Sequence, residues 1–225
     1  MSFILNIDTA SEKAHVSFAN EGLIVHALYS ESQKEHASFL QSAILQLTKI
    51  TGKKLSDLDA IAVTAGPGSY TGLRVGMASA KGLCYALNKP LIMMSTLEIL
   101  TVSALQLFPT TVQSVLLCPM IDARRMEVFT AIYQHDLASY LDPCALILNE
   151  TSFEKELSAN NILFFGNGSE KWRSVCNHAN AAFEKVTILP GAMGLYSNKF
   201  YTQKKFTDLV YSEPLYLKDF QTVTI

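Results

Sequence analysis

The 225-residue sequence predicts an α/β protein whose two halves pack as one compact unit. Three observations carry this. Residues 1–89 alternate strand-length apolar runs with helical stripes in the order β-β-β-α-β-α. Residues 114–133, "SVLLCPMIDARRMEVFTAIY", echo the opening "FILNIDTASEKAHVSFA", with Ile121-Asp122-Ala123 standing where Ile7-Asp8-Thr9 stood. No low-complexity or linker-like run lies between them.

The opening is a meander: runs 3–8, 13–19 and 23–30 are strand-like, and the second and third meet at the turn sequence "NEG". Next, Ala37, Leu40, Ala43, Ile44, Leu47 and Ile50 form one helical stripe, with Ser32 and Glu35 at capping-box spacing and Gly52 as a stop. "AIAVTA" is a fourth strand, followed by the loop "GPGSYTGLRVG" and a helix to the residue before Pro90. "PLIMM" is a fifth strand, and Ser95 with Glu98 opens a helix that stops before Pro109. After a connector, the second half continues with strand-like "CALILN", a helix opened by Thr151 and Glu154, and a strand "NILFFGNG". A helix "SEKWRSVCNHA", a strand "KVTIL" and a helix "GLYSNKFYTQKKF" complete it.

Composition narrows the function. A hydrophobic share of 49% is ample for a core, and 18 Lys and Arg against 20 Asp and Glu give no cationic surplus for nucleic acid. No basic leader and no apolar run long enough to cross a bilayer are found, so a cytoplasmic protein is expected. Cys84, Cys118, Cys144 and Cys176 are scattered, without a C-x-x-C pair, and are expected to be reduced and buried. The five histidines include no close pair, so no sequence-local metal site is expected.

The loop at residues 66–76 stands where phosphate loops stand, between a strand and a helix. It is a near miss. Thr71 occupies the third glycine of G-x-G-x-x-G, and "GLR" replaces G-K-[ST]. What remains is hydroxyls at Ser69, Tyr70 and Thr71, Arg74 in the first helical turn, and backbone amides at a helix start. Asp8 and Thr9 end the first strand and complete the candidate nucleotide or anion site. The competing reading is a tight connection with Thr71 as helix cap. Along the helix, Gly72, Gly76, Ser79, Gly82 and Ala86 make a stripe of small residues, which suits close packing either on the chain's own sheet or on another subunit.

"ILNIDTAS", "AVTAGPGSYTGLRVGMASAKGL", "IDARRMEVFTA" and "EPLYLK" together resemble the TsaB (YeaZ) family, the bacterial subunits needed to make threonylcarbamoyladenosine in tRNA. The resemblance implies an actin-like ATPase or ribonuclease-H-like fold with two related subdomains, each a mixed sheet flanked by helices. Residues 1–108 would form the first subdomain and 109–225 a degenerate second one, with the tail returning to the first or docking on a partner.

It also implies a noncatalytic subunit that binds and activates a TsaD-like catalytic partner, assembles with a TsaE-like ATPase, meets tRNA only through that complex, and forms a homodimer when alone. The tRNAs concerned would be those that decode ANN codons. The partner surface would lie on the first two helices, at Leu40, Ala43, Leu47, Gly72, Gly76, Ser79 and Gly82. No catalytic residue, no metal and no tightly bound cofactor are implied, with ATP or ADP and magnesium placed at the complex interface. The two metal-binding histidines of TsaD-like proteins would fall at Thr96 and Leu100, neither of which can replace them. A weak ATP hydrolase or transferase acting alone, around Asp8, Ser69, Thr71 and Arg74, is the alternative.

Overall fold

β1 (Phe3–Asp8) is buried at all six positions, so it must lie inside a sheet covered on both faces. In the computed structural model, which describes residues 1–11, 13–30, 36–109 and 114–218, that is its place. β1 pairs antiparallel with β2 (Ala14–Asn20), and β2 pairs antiparallel with β3 (Leu23–Ser30). The hairpin between them turns on Glu21 and Gly22, both at positive φ, as a two-residue hairpin requires. α1 (His36–Thr51) leads to β4 (Ala60–Gly66), parallel to β1; α2 (Tyr70–Leu87) leads to β5 (Leu91–Ser95), parallel to β4. The sheet order is β3-β2-β1-β4-β5.

α3 (Thr96–Leu107) begins at a Ser95 cap that accepts from the Glu98 amide at 3.4 Å. The second half then repeats the plan with β6 (Leu116–Asp122), β7 (Glu127–Tyr133), β8 (Ser139–Ile147), α4 (Glu154–Ala159), β9 (Ile162–Phe165), α5 (Ser169–Arg173), β10 (Ala181–Glu184) and α6 (Pro190–Thr202). Its sheet order, β8-β7-β6-β9-β10, matches the first sheet strand for strand, with the same parallel and antiparallel neighbours. The short Ile-Asp echo of the sequence is thus the visible trace of a duplicated architecture.

Alternation along β1 separates the layers. Phe3, Leu5 and Ile7 pack with Leu40, Ile44 and Leu47 of α1 and Met77, Ala80 and Cys84 of α2. Ile4 packs on the other face with Ile99 of α3 and Met193 and Tyr196 of α6. α3 also touches the second sheet, where Leu100 and Ala104 meet Leu117, Leu163 and Phe165. Leu157 of α4 and Trp172 of α5 seal that sheet's far face against Cys118, Met120, Val128 and Phe164. The layers therefore run α1/α2, first sheet, α3/α6, second sheet, α4/α5.

Several boundaries differ from expectation. The apolar run 185–189 is not a strand: Val186 and Ile188 pack beneath α3, and the unremarkable "AAFE" pairs with β9 instead. The helix expected over 169–179 ends at Arg173, and β8 starts at Ser139, ahead of "CALILN". α6 starts at Pro190, a residue suited to the first helical turn, rather than at Gly194. The capping pair Ser32 and Glu35 lies outside the described residues.

Candidate functional site

Asp8 ends β1 with a side chain almost fully buried. Its Oδ1 accepts hydrogen bonds from Thr64 Oγ1 at 2.9 Å and from the Ala10 amide at 3.0 Å, and its Oδ2 lies 3.5 Å from Nδ1 of His15, its cross-strand neighbour. A buried carboxylate persists only with such partners. Thr9, also buried, donates to the Gly72 carbonyl at 2.7 Å.

The glycine loop is held by the same turn. The Ser69 amide donates to the Ala10 carbonyl at 2.7 Å, and Ser69 Oγ accepts from the Gly72 amide at 3.3 Å, so Ser69 caps α2 and Thr71 stands exposed within the helix. A Cβ at Gly68 would overlap the Ala10 carbonyl oxygen, and one at Gly72 the Thr9 carbonyl oxygen. Gly66, at φ +113°, lies so close to the tail that a Cβ would stand 2.7 Å from the Leu215 carbonyl oxygen. The glycines admit three of the chain's own carbonyls at the place where a phosphate would need amides. In this arrangement the loop does not fit a phosphate.

Arg74 is turned toward the tail as well. Its guanidinium lies 4.0 Å from the Tyr70 ring centroid, and its Nε donates to Tyr216 Oη at 3.3 Å, a bond that raises its pKa. The Leu215 amide donates to the Ala65 carbonyl at 2.7 Å, and Lys81 Nζ donates to the Ser212 carbonyl at 3.0 Å. Of the five residues expected to hold an anion, Asp8, Thr9 and Ser69 are thus engaged with the backbone of Ala10 and Gly72, and Arg74 with the tail.

The second half carries a counterpart that sequence reading missed. Gly166-Asn167-Gly168-Ser169 follows β9 as Gly66-Pro67-Gly68-Ser69 follows β4, and Gly166 repeats the positive φ at +97°. The repeated G-x-G-S was available in the letters alone. Asp122 ends β6 as Asp8 ends β1, but it is 39% exposed, accepting from the Arg124 amide at 2.6 Å and from Lys171 Nζ at 2.8 Å. Among the described residues, no group of three or more His, Cys, Asp or Glu could hold a metal ion.

Between the halves, at the carboxyl ends of the parallel strands of both sheets, lies a cleft of about 430 Å³. Asp8 and His15 line it from the first sheet, Ile121 from the second sheet, Asn167 from the turn after β9, and Thr96 and Leu100 from α3. Thr96 and Leu100, one turn apart on α3, therefore face one cavity.

The expected partner surface needs correction. Leu40, Ala43 and Leu47 are turned inward, buried in the core beneath α1. Gly72 and Gly76 are buried too, with Thr9 filling the space beside them, so this part of the stripe serves packing within the chain. Ser79 is half-buried and accepts from Gln41 Nε2 at 3.1 Å, tying α2 to α1. Gly82 alone of the glycines on α2 faces open space, among exposed Ala78, Ala86 and Tyr85, the last 84% exposed, and α1 adds Leu45 at 58%. The periodicity of a small-residue stripe is the same whether it meets its own chain or another.

Comparison with known proteins accounts for this architecture. The family model for the tRNA N6-adenosine threonylcarbamoyltransferase TsaD matches residues 27–219. The chain belongs to the TsaD family. Within that family it is a homologue of TsaB (YeaZ). It is 28% identical over 224 residues to the tRNA threonylcarbamoyladenosine biosynthesis protein TsaB of Escherichia coli, covering 96% of this chain and 94% of that protein. YeaZ from Pseudomonas aeruginosa superposes with a TM-score of 0.77 at 26% identity, over 96% of this TsaD-family chain and all of its counterpart. Component A of the (R)-2-hydroxyglutaryl-CoA dehydratase of Acidaminococcus fermentans matches with a TM-score of 0.52 at 12% identity, covering 90% of this chain and 100% of the other, a likeness of fold alone. The fold of this TsaD-family member is that of the actin-like ATPases. No helix among its described residues is long and apolar enough to cross a membrane.

Proposed function

We propose that this chain is a noncatalytic subunit of tRNA threonylcarbamoyladenosine modification. It docks a TsaD-like catalytic subunit through the outer side of α1 and α2, and it joins a TsaE-like ATPase. The observation that carries the reading is the Ala10 carbonyl seated on the Ser69 amide at 2.7 Å, which closes the loop that a phosphate-handling relative would keep open. Meanwhile Leu45, Ala78, Gly82 and Tyr85 leave apolar surface on the two longest helices of the described chain. Such surface is suited to a helix-on-helix seam, with Gly82 allowing close approach. When the partner is absent the same seam joins two copies of this chain. Any ATP or ADP with magnesium sits at the complex interface, and tRNA is met through the complex.

The decisive experiment is reconstitution of the modification with and without this chain, alongside co-purification of a Gly82→Leu variant with the TsaD-like subunit. Gly82 has open space for a side chain, so the variant should stay folded, with stability changed by no more than about 1 kcal/mol, while partner capture falls at least about tenfold. Undiminished capture would count against the seam. Gly76→Leu is the wrong probe, because its side chain would collide with Thr9 inside the chain. Acting alone as an ATP hydrolase or transferase is the competing function. Calorimetry with ATP and magnesium on the isolated chain separates the two, and a clear binding heat would favour the competitor.

A further inference from the structure

We propose that the turn at residues 208–212 is a third element of the docking surface, with Val210 and Tyr211 as anchors that enter an apolar groove of the catalytic subunit beside Tyr85. The inference rests on the docking proposed above and extends it from the two helices to the tail.

After the N-terminal methionine, Tyr85, Tyr211 and Val210 are the most exposed large apolar side chains among the described residues, at 84%, 84% and 74%. The three belong to one strip. Lys81, one turn before Tyr85 on α2, donates through Nζ to the carbonyls of Val210 and Ser212 at 3.3 and 3.0 Å. Ser79 meets Gln41 of α1, and Lys81, two positions on, lies about 200° further round the helix. The tail therefore flanks α2 on the side away from α1, and exposed Ala78, Gly82 and Tyr85 lie on the outer face between the two. Farther along the tail, Tyr216 meets Tyr70 and Arg74 at the start of the same helix, so tail and helix run side by side.

The turn is held firmly. Asp208 Oδ1 accepts from the Val210 and Tyr211 amides at 2.8 and 3.0 Å, and the Ser212 amide donates to the Asp208 carbonyl at 3.2 Å. Leu209, between them, packs against the core beneath α1 and α2. A fixed backbone that leaves two large side chains in water has already lost the freedom that binding would otherwise remove, which is the condition of an interface anchor. Ala78, Gly82, Tyr85, Val210 and Tyr211 bring no charge, and the Lys81 ammonium is occupied by two carbonyls. The surface recognised is therefore an apolar groove with hydrogen-bond acceptors at its rim for the phenol hydroxyls, not an acidic or phosphate-bearing one. Continuity with Gly82 and Tyr85 assigns that groove to the same catalytic subunit.

Calorimetric titration of the full chain with the purified TsaD-like subunit tests this. Tyr211→Ala should weaken binding at least about tenfold and Val210→Ala about threefold, with the Tm of the isolated chain unchanged, since both side chains stand in water. Ile147→Ala, which truncates an exposed residue on β8 in the second half, should leave binding as it is. Gly82→Leu in the same assay separates the two ideas. If it loses binding while Tyr211→Ala keeps full affinity, the helix seam stands and the turn is no part of it. If both variants keep full affinity, seam and turn fall together. A Tyr211→Ala variant that stops the isolated chain from self-associating, yet binds the catalytic subunit as before, would assign the turn to a second copy and overturn the proposal as well.

Discussion

The first half carries helices of 16 and 18 residues after its third and fourth strands, and the second half carries helices of 6 and 5 residues at the equivalent places. The sheets beneath them are matched strand for strand. In the second half, Leu157 and Trp172 cover the sheet and the helices end almost at once. In the first half, the inner faces of α1 and α2 do the same work, and the outer faces still show Leu45 and Tyr85 to solvent. Helix length beyond what a core requires points to use outside the chain. The asymmetry therefore supports the proposed seam on the first half without any appeal to a stripe of glycines.

The sharpest way to break the comparison is to remove the aspartate that ends each leading strand. Asp8→Ala strands Thr64, the Ala10 amide and His15 in a buried turn and should cost about 3–5 kcal/mol in urea denaturation. Asp122→Ala removes a partly exposed group and should cost no more than about 1 kcal/mol. Equal losses would mean that the two turns are not differently built.

The glycine turns offer a second, smaller contrast. Gly68→Val would drive its side chain into the Ala10 carbonyl and should cost about 3 kcal/mol. At Gly168 the nearest atoms, on Val128, Ile121 and Asp122, lie 2.9–3.1 Å from a Cβ, and the valine there should cost about 1–2 kcal/mol. Denaturation midpoints of the pair check the order.

The smallest effect lies at the seam between the equivalent helices α3 and α6, where Tyr196 donates to Glu98 Oε2 at 3.1 Å. Burial raises the Glu98 pKa above its ordinary 4.5, with the Tyr196 bond opposing the shift. Between the unfolded and the raised value the folded state holds the extra proton, so this contribution is present below about pH 4.5 and is lost as pH rises through the folded value. Glu98→Gln keeps an acceptor for Tyr196 without the charge. Its Tm should rise by a few degrees at pH 7, by about 2–4 °C for each 1 kcal/mol, and the gain should shrink toward pH 4.

Much of this was legible in the letters. The strands of the first sheet and the helices α1, α2 and α3 follow from apolar runs and periodicity, and the boundaries of β1 and β3 coincide with the expected runs at 3–8 and 23–30. β10 was hidden because pairing with β9, not intrinsic preference, makes "AAFE" a strand, while the β-branched Val186 and Ile188 serve the core under α3. The glycine loop could be placed between strand and helix, yet its contacts come from Ala10 and Leu215, far away along the chain. Thr71 is the cap only in the reading that competes with an anion site, whereas the cap lies two residues earlier at Ser69 and the helix starts at Tyr70. Leu40, Ala43 and Leu47 were assigned outward because an apolar stripe does not say which surface covers it. The pairing of Asp8 with His15 depends on cross-strand register, which spacing along one strand cannot supply.

The tail has a mechanical consequence. Its Leu215 amide is fastened to Ala65 in the first half, and three residues later Lys218 Nζ reaches Glu127 Oε2 at 2.6 Å in the second. That span of backbone extends at most about 11 Å, so it is a short tether across the mouth of a hinge. Any opening of the cleft between the halves must first pull the Lys218 end free. One partly exposed ion pair is a light brake, worth up to about 1 kcal/mol, and it biases the lobes toward one fixed spacing.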